Sequence, residues 1–271
     1  MNWRKLFTPI ANLSPAEARD YMDSHPADDF QLLDVRQPRE YEEGHLPGAR
    51  LIPIRELPDR LDELNPDQPV IAYCAVGGRS RAAAQLLSGQ GFKEVYNLAG
   101  GIKAWEGERA TGPFAAGLEL LPAGAEYEQA AALAYAMEEG LRQFYLHLAG
   151  QAGESGFRST WERLAALEEG HKARLLQEYC ERTGHEVPPG REGELLEGGR
   201  RPDDTALAAL LAAATPPELL AEAMGLETQA LDLYLRLARH SEVAASRELF
   251  LALAAEEKQH LSLLAAELER H

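Results

Sequence analysis

The second half of this 271-residue chain repeats itself at a fixed offset of 89 positions. Tyr145-Leu146-x-Leu148-Ala149 returns as Tyr234-Leu235-x-Leu237-Ala238. Leu164-Ala165-Ala166-x-Glu168-x-x-His171-x-x-x-Leu175 returns as Leu253-Ala254-Ala255-x-Glu257-x-x-His260-x-x-x-Leu264, and Glu138 with Glu227 keeps the same offset. The region 125–271 is rich in Ala, Leu and Glu, has helical apolar spacing and carries no strand pattern. Such a repeat is a helix pair used twice, over 127–181 and 216–270. Thr183 to Thr215, between the copies, holds Pro188-Pro189-Gly190, Gly198-Gly199 and one short Ala/Leu helix, so it reads as a long crossover. Thr215-Pro216-Pro217-Glu218 then caps the third long helix.

Residues 1–108 have a different texture. Ser14-Pro15-Ala16-Glu17 caps a helix running to Ser24. Phe30 to Val35, Ala49 to Ile52, Ile71 to Cys74 and Glu94 to Asn97 read as strands. Pro38 to Glu43, Ile54 to Leu64, Arg81 to Gln90 and Ile102 to Glu106 read as helices. Strands alternating with helices imply a mostly parallel sheet. Residues 109–124, rich in Gly, Ala and Pro, form the linker.

Net charge is −17, which argues against nucleic acid or an anionic membrane surface as partner, since both require basic patches. The two cysteines, Cys74 and Cys180, permit no disulfide framework, no zinc ribbon and no rubredoxin-type iron site. They point to a reducing, cytoplasmic setting. No signal peptide or transmembrane run is evident.

Cys74 follows the buried run Pro69 to Tyr73 and precedes a helix. The intervening loop is Ala75-Val76-Gly77-Gly78-Arg79-Ser80. Glycines let that loop curl so that its N–H groups face the thiol, and the helix N-terminus adds positive potential. Both lower a thiol pKa and favour a thiolate nucleophile. This loop resembles the rhodanese active-site loop. So does its frame: Leu33-Asp34-Val35-Arg36, Glu40-Tyr41, Gly44-His45-Leu46-Pro47-Gly48-Ala49 and Gly100-Gly101-Ile102-x-x-Trp105. The resemblance covers about 12 to 108 and implies sulfur transfer, with Cys74 becoming a persulfide that passes its sulfur to a thiophilic acceptor. Ala75, Val76, Gly77, Gly78 and Ser80 would cradle an anionic donor, with Arg79 adding a bidentate fork. Four residues separate Cys74 from Arg79, where the cysteine-dependent phosphatases that resemble this fold have five. The tighter loop favours sulfur over phosphate. Asp34 and Arg36 are expected to hold the loop and sheet together, and His45 to be a turn residue despite its Glu42-x-x-His45 spacing.

In the second half, each Glu-x-x-His places a carboxylate and an imidazole on one helical face. Glu138 and Glu227 lie seven residues before Tyr145 and Tyr234 and share their faces. Phe250, Leu253, Glu257, His260 and Leu264 follow the spacing of a core stripe, where a glutamate is costly unless paired or metal-bound. One Glu from each of two helices plus Glu-x-x-His from the other two is a di-iron or di-manganese arrangement, and one long crossover is the ferritin-like connection. Residues 125–271 accordingly resemble rubrerythrin and other ferritin-like di-iron proteins. The resemblance implies bridging Glu168 and Glu257, terminal Glu138, Glu227, His171 and His260, and reaction with peroxide or dioxygen. Iron is favoured by the carboxylate-rich set, with manganese open, and no organic cofactor is evident. Ala230 stands where rubrerythrin-like sites often carry a further glutamate. The rubredoxin module is absent, so an external donor such as a rubredoxin or ferredoxin would supply electrons. Cys180 and His147 lie off the metal face; Cys180 is expected to pack. His185, His240 and His271 are expected to be solvated. Tyr145 and Tyr234 should pack above the metal site.

The fold expected is an N-terminal α/β rhodanese-like parallel sheet with a C-terminal all-α ferritin-like four-helix bundle, and such bundles often pair as homodimers. The leading expectation is a sulfurtransferase coupled to a di-iron centre, acting on a small-molecule sulfur donor and a thiol acceptor. Two alternatives stand beside it: a di-iron oxidoreductase whose rhodanese domain docks a partner, and a non-enzymatic iron-binding or sulfur-sensing protein.

Overall fold

The computed structural model describes residues 10–151, 156–186 and 215–270. The chain forms two compact units that divide between Phe114 and Ala115. The short helix expected within 183–215, and His271, lie outside the described residues.

In the first unit five strands form one parallel sheet: β1 (Ala11–Leu13), β2 (Gln31–Asp34), β3 (Arg50–Leu51), β4 (Val70–Tyr73) and β5 (Val95–Leu98). Their spatial order is β1-β5-β4-β2-β3, which puts β4 at the centre. Val70, Ile71, Ala72 and Tyr73 are all buried, as a strand covered on both faces requires. Side chains alternate between two apolar clusters. Leu32, Ile71 and Tyr73 face one side with Ala18 of α1 (Pro15–Ser24) and Tyr41 of α2 (Pro38–Glu42). Leu33, Val70, Ala72 and Cys74 face the other with Ala83 and Leu87 of α3 (Gly78–Gly89). Ser14 caps α1 through a reciprocal capping box with Glu17.

Three local expectations change. Ile54 to Leu64 is not a helix but two 3-10 turns, Leu57–Asp59 and Leu61–Glu63. Pro58 lacks the N–H that a continuous helix needs. The closing helix after β5 is also a 3-10 turn, Gly101–Ala104. Strand β1 has no counterpart in the sequence reading, because three residues at a sheet edge, Ala-Asn-Leu, are too few to show a period. Within the Gly/Pro-rich segment, Ala110 pairs with His45 in an antiparallel bridge and Leu118–Leu120 forms a 3-10 turn.

Among the described residues the second unit has four long helices: α4 (Tyr127–Gln151), α5 (Gly156–Thr183), α6 (Pro216–His240) and α7 (Ala244–Leu268). Helix α4 packs along α5, α6 along α7, and α4 also meets α7. Thr215 caps α6 through a capping box with Glu218. The apolar interior falls into two clusters, one around Met137, Tyr234 and Phe250, the other around Leu141, Tyr145 and Trp161. On α4, α5 and α6 the change from one cluster to the other occurs at Glu138, Glu168 and Glu227. A polar layer therefore separates them. Among the described residues no helix is long and apolar enough to cross a membrane.

Candidate active-site loop and carboxylate cluster

Cys74 lies one residue past the end of β4, at the carboxyl end of the central strand, where open parallel sheets place their ligand crevices. Its residue is 1% exposed, whereas Val76 beside it is 63% exposed. Gly77 takes φ +93° as the residue before α3, a conformation that a side chain would strain. That turn aims the Gly77 N–H at Cys74 Sγ, 3.1 Å away. Burial alone pushes the thiol up, but the Ser80 hydroxyl and the N–H groups of Ser80, Val76 and Gly77 outweigh it and hold Cys74 below its ordinary value. Ser80 Oγ lies 3.4 Å from the sulfur and 2.7 Å from Asn97 Oδ1. A hydroxyl has one hydrogen, and Asn97 is the nearer acceptor. The backbone donors are thus the constant part of the thiolate's support. Asn97 in turn donates to Asn12 Oδ1 at 2.8 Å, which ties the loop to β1.

The loop is braced from behind by the turn that follows β5. Ile102 N–H donates to Cys74 O at 2.8 Å and Lys103 N–H to Ala75 O at 3.1 Å. Gly101 has φ +61°, and a Cβ there would stand 2.2 Å from Cys74 O and 2.7 Å from Val76 N. Gly101→Ala should therefore destabilise the first unit by about 1–3 kcal/mol and displace the loop. Urea unfolding together with the Cys74 alkylation rate measures both effects; a variant with wild-type stability and alkylation would contradict this packing.

Arg79, expected to offer its fork to an anion, already uses it. Its Nη1 and Nη2 donate to Glu40 at 2.7 and 2.6 Å. The Arg79 hydrogen bonds hold Glu40 at a pKa of about 2, against burial, and raise Arg79 itself. The sign follows. Glu40 is depressed relative to an unfolded value of 4.5, so its contribution to stability is present above about 4.5 and is lost as pH falls through about 2. A carboxyl NMR titration should place Glu40 near 2 in the wild type and back toward 4.5 in Arg79→Met; identical midpoints would show that the pair is not formed.

Asp34 and Arg36 are structural, as expected. Arg36 forks onto Asp34 at 2.6–3.0 Å, donates to Gly44 O at 2.7 Å and lies over the Tyr73 ring. His45 stacks on Tyr41, and its Nδ1 lies 2.9 Å from Tyr41 O, as suits a turn residue.

In the second unit the six singled-out residues converge. Glu138, Glu168, Glu227 and Glu257 are 0% exposed and His260 is 2% exposed. His260 Nδ1 lies 3.2 Å from Glu227, 3.3 Å from Glu168 and 3.5 Å from Glu257. His171 Nδ1 lies 3.2 Å from Glu138 and 3.4 Å from Glu168. The two imidazoles stack with centroids 4.7 Å apart. Glu168 thus reaches both. Ligand-capable atoms of Glu168, His171 and His260 lie within 4.8 Å of one another, as do those of Glu227, Glu257 and His260. Burial pushes Glu227 up, but hydrogen bonds with Glu257, His260 and Tyr145 outweigh it and lower its pKa. Burial lowers His260, and its bond to Glu227 raises it by more.

Each tyrosine crosses to the other copy of the repeat. Tyr145 donates to Glu227, and Tyr234 donates to Glu138 at 3.0 Å. Cys180 is exposed rather than packed: nine residues beyond His171, it faces outward on α5. His147 and His185 are exposed, and His240 is half-buried.

Residues 14–108 match the model of the rhodanese-like domain family. The thiosulfate sulfurtransferase GlpE of Pseudoalteromonas translucida is 35% identical over 95 residues, which span 35% of this chain and 88% of that protein. Through this segment the chain belongs to the rhodanese family. A sulfurtransferase of Allochromatium vinosum is 41% identical over 78 residues, 29% of this chain and 73% of the relative. Protein YqhL of Bacillus subtilis is 50% identical over 78 residues, 29% of this chain; the match spans 62% of YqhL.

Three contacts of the rhodanese unit and its neighbour were not legible from spacing. Glu40 clamps Arg79 from 39 positions away. Asn97 holds Ser80 from the end of β5. Glu256, beside Glu257, is 8% exposed and reaches His171. A buried polar residue at the end of a strand, or next to a ligand-type residue, was the available signal.

Proposed function

We propose that the rhodanese unit is a sulfurtransferase that moves sulfane sulfur through a persulfide on Cys74. The observation that carries this reading is a buried cysteine whose sulfur faces loop N–H groups that lower its pKa. With thiosulfate as donor, the Cys74 thiolate attacks the outer sulfur. The donor S–S bond breaks, sulfite leaves with the electron pair, and a Cys74 S–S bond forms. A thiolate or cyanide acceptor then attacks the terminal sulfur, and the pair returns to Cys74 as thiolate. Sulfur moves and nothing is oxidised overall. The loop N–H groups carry the negative charge in both steps. An anionic donor would share Arg79 with Glu40, so the fixed N–H groups are the main anion contacts. A thiosulfate:cyanide assay tests the reading; a purified chain without turnover on thiosulfate or on a persulfide donor would refute it.

We further propose that the second unit is a ferritin-like four-helix bundle holding a pair of iron ions, with manganese as the alternative. Four fully buried carboxylates are unfavourable as an apolar interior, and the cationic partners seen beside them are the two imidazoles. Both imidazoles turn Nδ1 into the cluster, His260 toward Glu227, Glu168 and Glu257 and His171 toward Glu138 and Glu168. Glu168 and Glu257 would bridge; Glu138, His171, Glu227 and His260 would be terminal. Bound iron would supply redox chemistry toward peroxide, dioxygen or sulfur species. The chain's own part is to fix the donor set. Tyr145 and Tyr234 each hold one terminal carboxylate by hydrogen bond and orient it. Ion binding displaces the proton that the Glu227 contact favours on His260, so affinity falls as pH is lowered. Two cysteines cannot form a rubredoxin site, so electrons come from an external donor such as a rubredoxin or ferredoxin.

A further inference from the structure

The two halves of the carboxylate cluster are not copies of each other. Each Nδ1 is ringed by three carboxylates. At His260 they are Glu227, Glu168 and Glu257, at 3.2, 3.3 and 3.5 Å. At His171 they are Glu138, Glu168 and Glu256, at 3.2, 3.4 and 3.5 Å. By the 89-residue offset, Glu138 and Glu168 at His171 match Glu227 and Glu257 at His260. Glu256 therefore has, at His171, the cross-helix place that Glu168 has at His260, which the repeat would give to Glu257. The repeat equivalent of Glu256, 89 positions earlier, is Leu167, which packs against apolar neighbours. The repeat alone therefore does not call for a carboxylate here.

Glu256 is 8% exposed, and its Oε2 is buried, accepts no hydrogen bond and faces His171. The other oxygen, Oε1, accepts from Arg174 Nη2, one turn beyond His171 on α5. Arg174 is 57% exposed, so its guanidinium lies at the surface while the carboxylate it holds points inward. His171 is likewise the more open of the two imidazoles, at 13% side-chain exposure against 2% for His260. A buried carboxylate with one oxygen anchored and the other turned toward a ligand-type imidazole has the form of a metal ligand held in position.

We propose that Glu256 is a seventh ligand-bearing residue of the metal centre, serving the ion on the His171 side, with Arg174 anchoring its second oxygen. This rests on the metal-centre reading given above. It makes the two ion positions inequivalent: the His171 ion has a further carboxylate and lies nearer solvent. Ion loss and exchange begin there.

Anaerobic titration of the metal-free full chain with cobalt(II), followed by its visible absorption, tests the proposal. Wild type should take up two ions. Glu256→Gln should keep one at wild-type affinity and bind the other about tenfold more weakly or worse, with an altered absorption band for that ion. Arg174→Gln should still bind both ions, weakening the same ion by less than Glu256→Gln does and leaving its absorption band in place, because the ligand itself remains. If Glu256→Gln does not fold, Glu256→Asp, which withdraws the oxygen but keeps the charge, should weaken the same ion. Two ions at wild-type affinity with an unchanged spectrum in Glu256→Gln would overturn the proposal and leave the centre standing. Equal weakening in Arg174→Gln and Glu256→Gln would assign the effect to their ion pair and also overturn it. A wild-type chain that binds no ion would overturn the metal-centre reading itself.

Discussion

Cys74→Ser should lower kcat/KM for sulfur transfer by about a thousandfold or more while leaving the fold intact. A serine hydroxyl is not ionised in the range where the loop thiol is, and it forms no persulfide. The substitution is nearly isosteric. The Gly77 N–H that faces the sulfur at 3.1 Å can face an oxygen equally well. Stability should therefore change by no more than about 1 kcal/mol. Thiosulfate:cyanide turnover, measured beside urea unfolding, separates the two effects. Wild-type turnover in a folded Cys74→Ser chain would remove the cysteine from the chemistry.

Glu168→Gln should cost the second unit both of the proposed ions. Glu168 lies 3.4 Å from His171 Nδ1 and 3.3 Å from His260 Nδ1, so either ion loses a donor when it is neutralised. Altering residues that only orient ligands typically costs ten- to a hundredfold in metal affinity; a ligand shared by two ions should cost more than about a hundredfold. Stability of the metal-free chain should move the other way. Removing one of four buried carboxylates relieves like-charge repulsion and desolvation, so metal-free Glu168→Gln should be at least as stable as metal-free wild type. Adding iron(II) should raise the wild-type melting temperature and leave that of the variant unchanged, since only a chain that binds the ion is stabilised by it. Elemental analysis of both proteins after expression with iron supplied gives the stoichiometry directly. About two irons per chain in wild type fits the six-ligand arrangement; equal metal content in the variant would contradict it.

What was legible in the sequence is what lies close along the chain or repeats along it. Glu168-x-x-His171 and its copy mark one helical face, and the structure brings both pairs together with Glu138 and Glu227. The Ser14 and Thr215 caps stand as read, because a capping box is decided within four residues. The strand, loop and helix around Cys74 were also readable, although α3 starts at Gly78 rather than Arg81. Other features depend on partners distant in sequence. Whether Arg79 is free or clamped is decided by Glu40, and that contact forms only when α2 and α3 are both in place on the sheet. Glu256 lies about 100° around α7 from Glu257, so spacing assigns it to another face; the approach of α5 brings His171 to it. Ile54 to Leu64 shows the opposite error: apolar spacing suggested a helix, and Pro58 limited the segment to 3-10 turns.

The most direct test of the central claim is the intact mass of the purified full chain after incubation with thiosulfate and removal of excess reagent. The account predicts a gain of one sulfur atom, lost on treatment with cyanide and absent in Cys74→Ser. A wild-type chain that gains no sulfur, or a Cys74→Ser chain that gains it equally, would contradict the proposal that sulfur passes through Cys74.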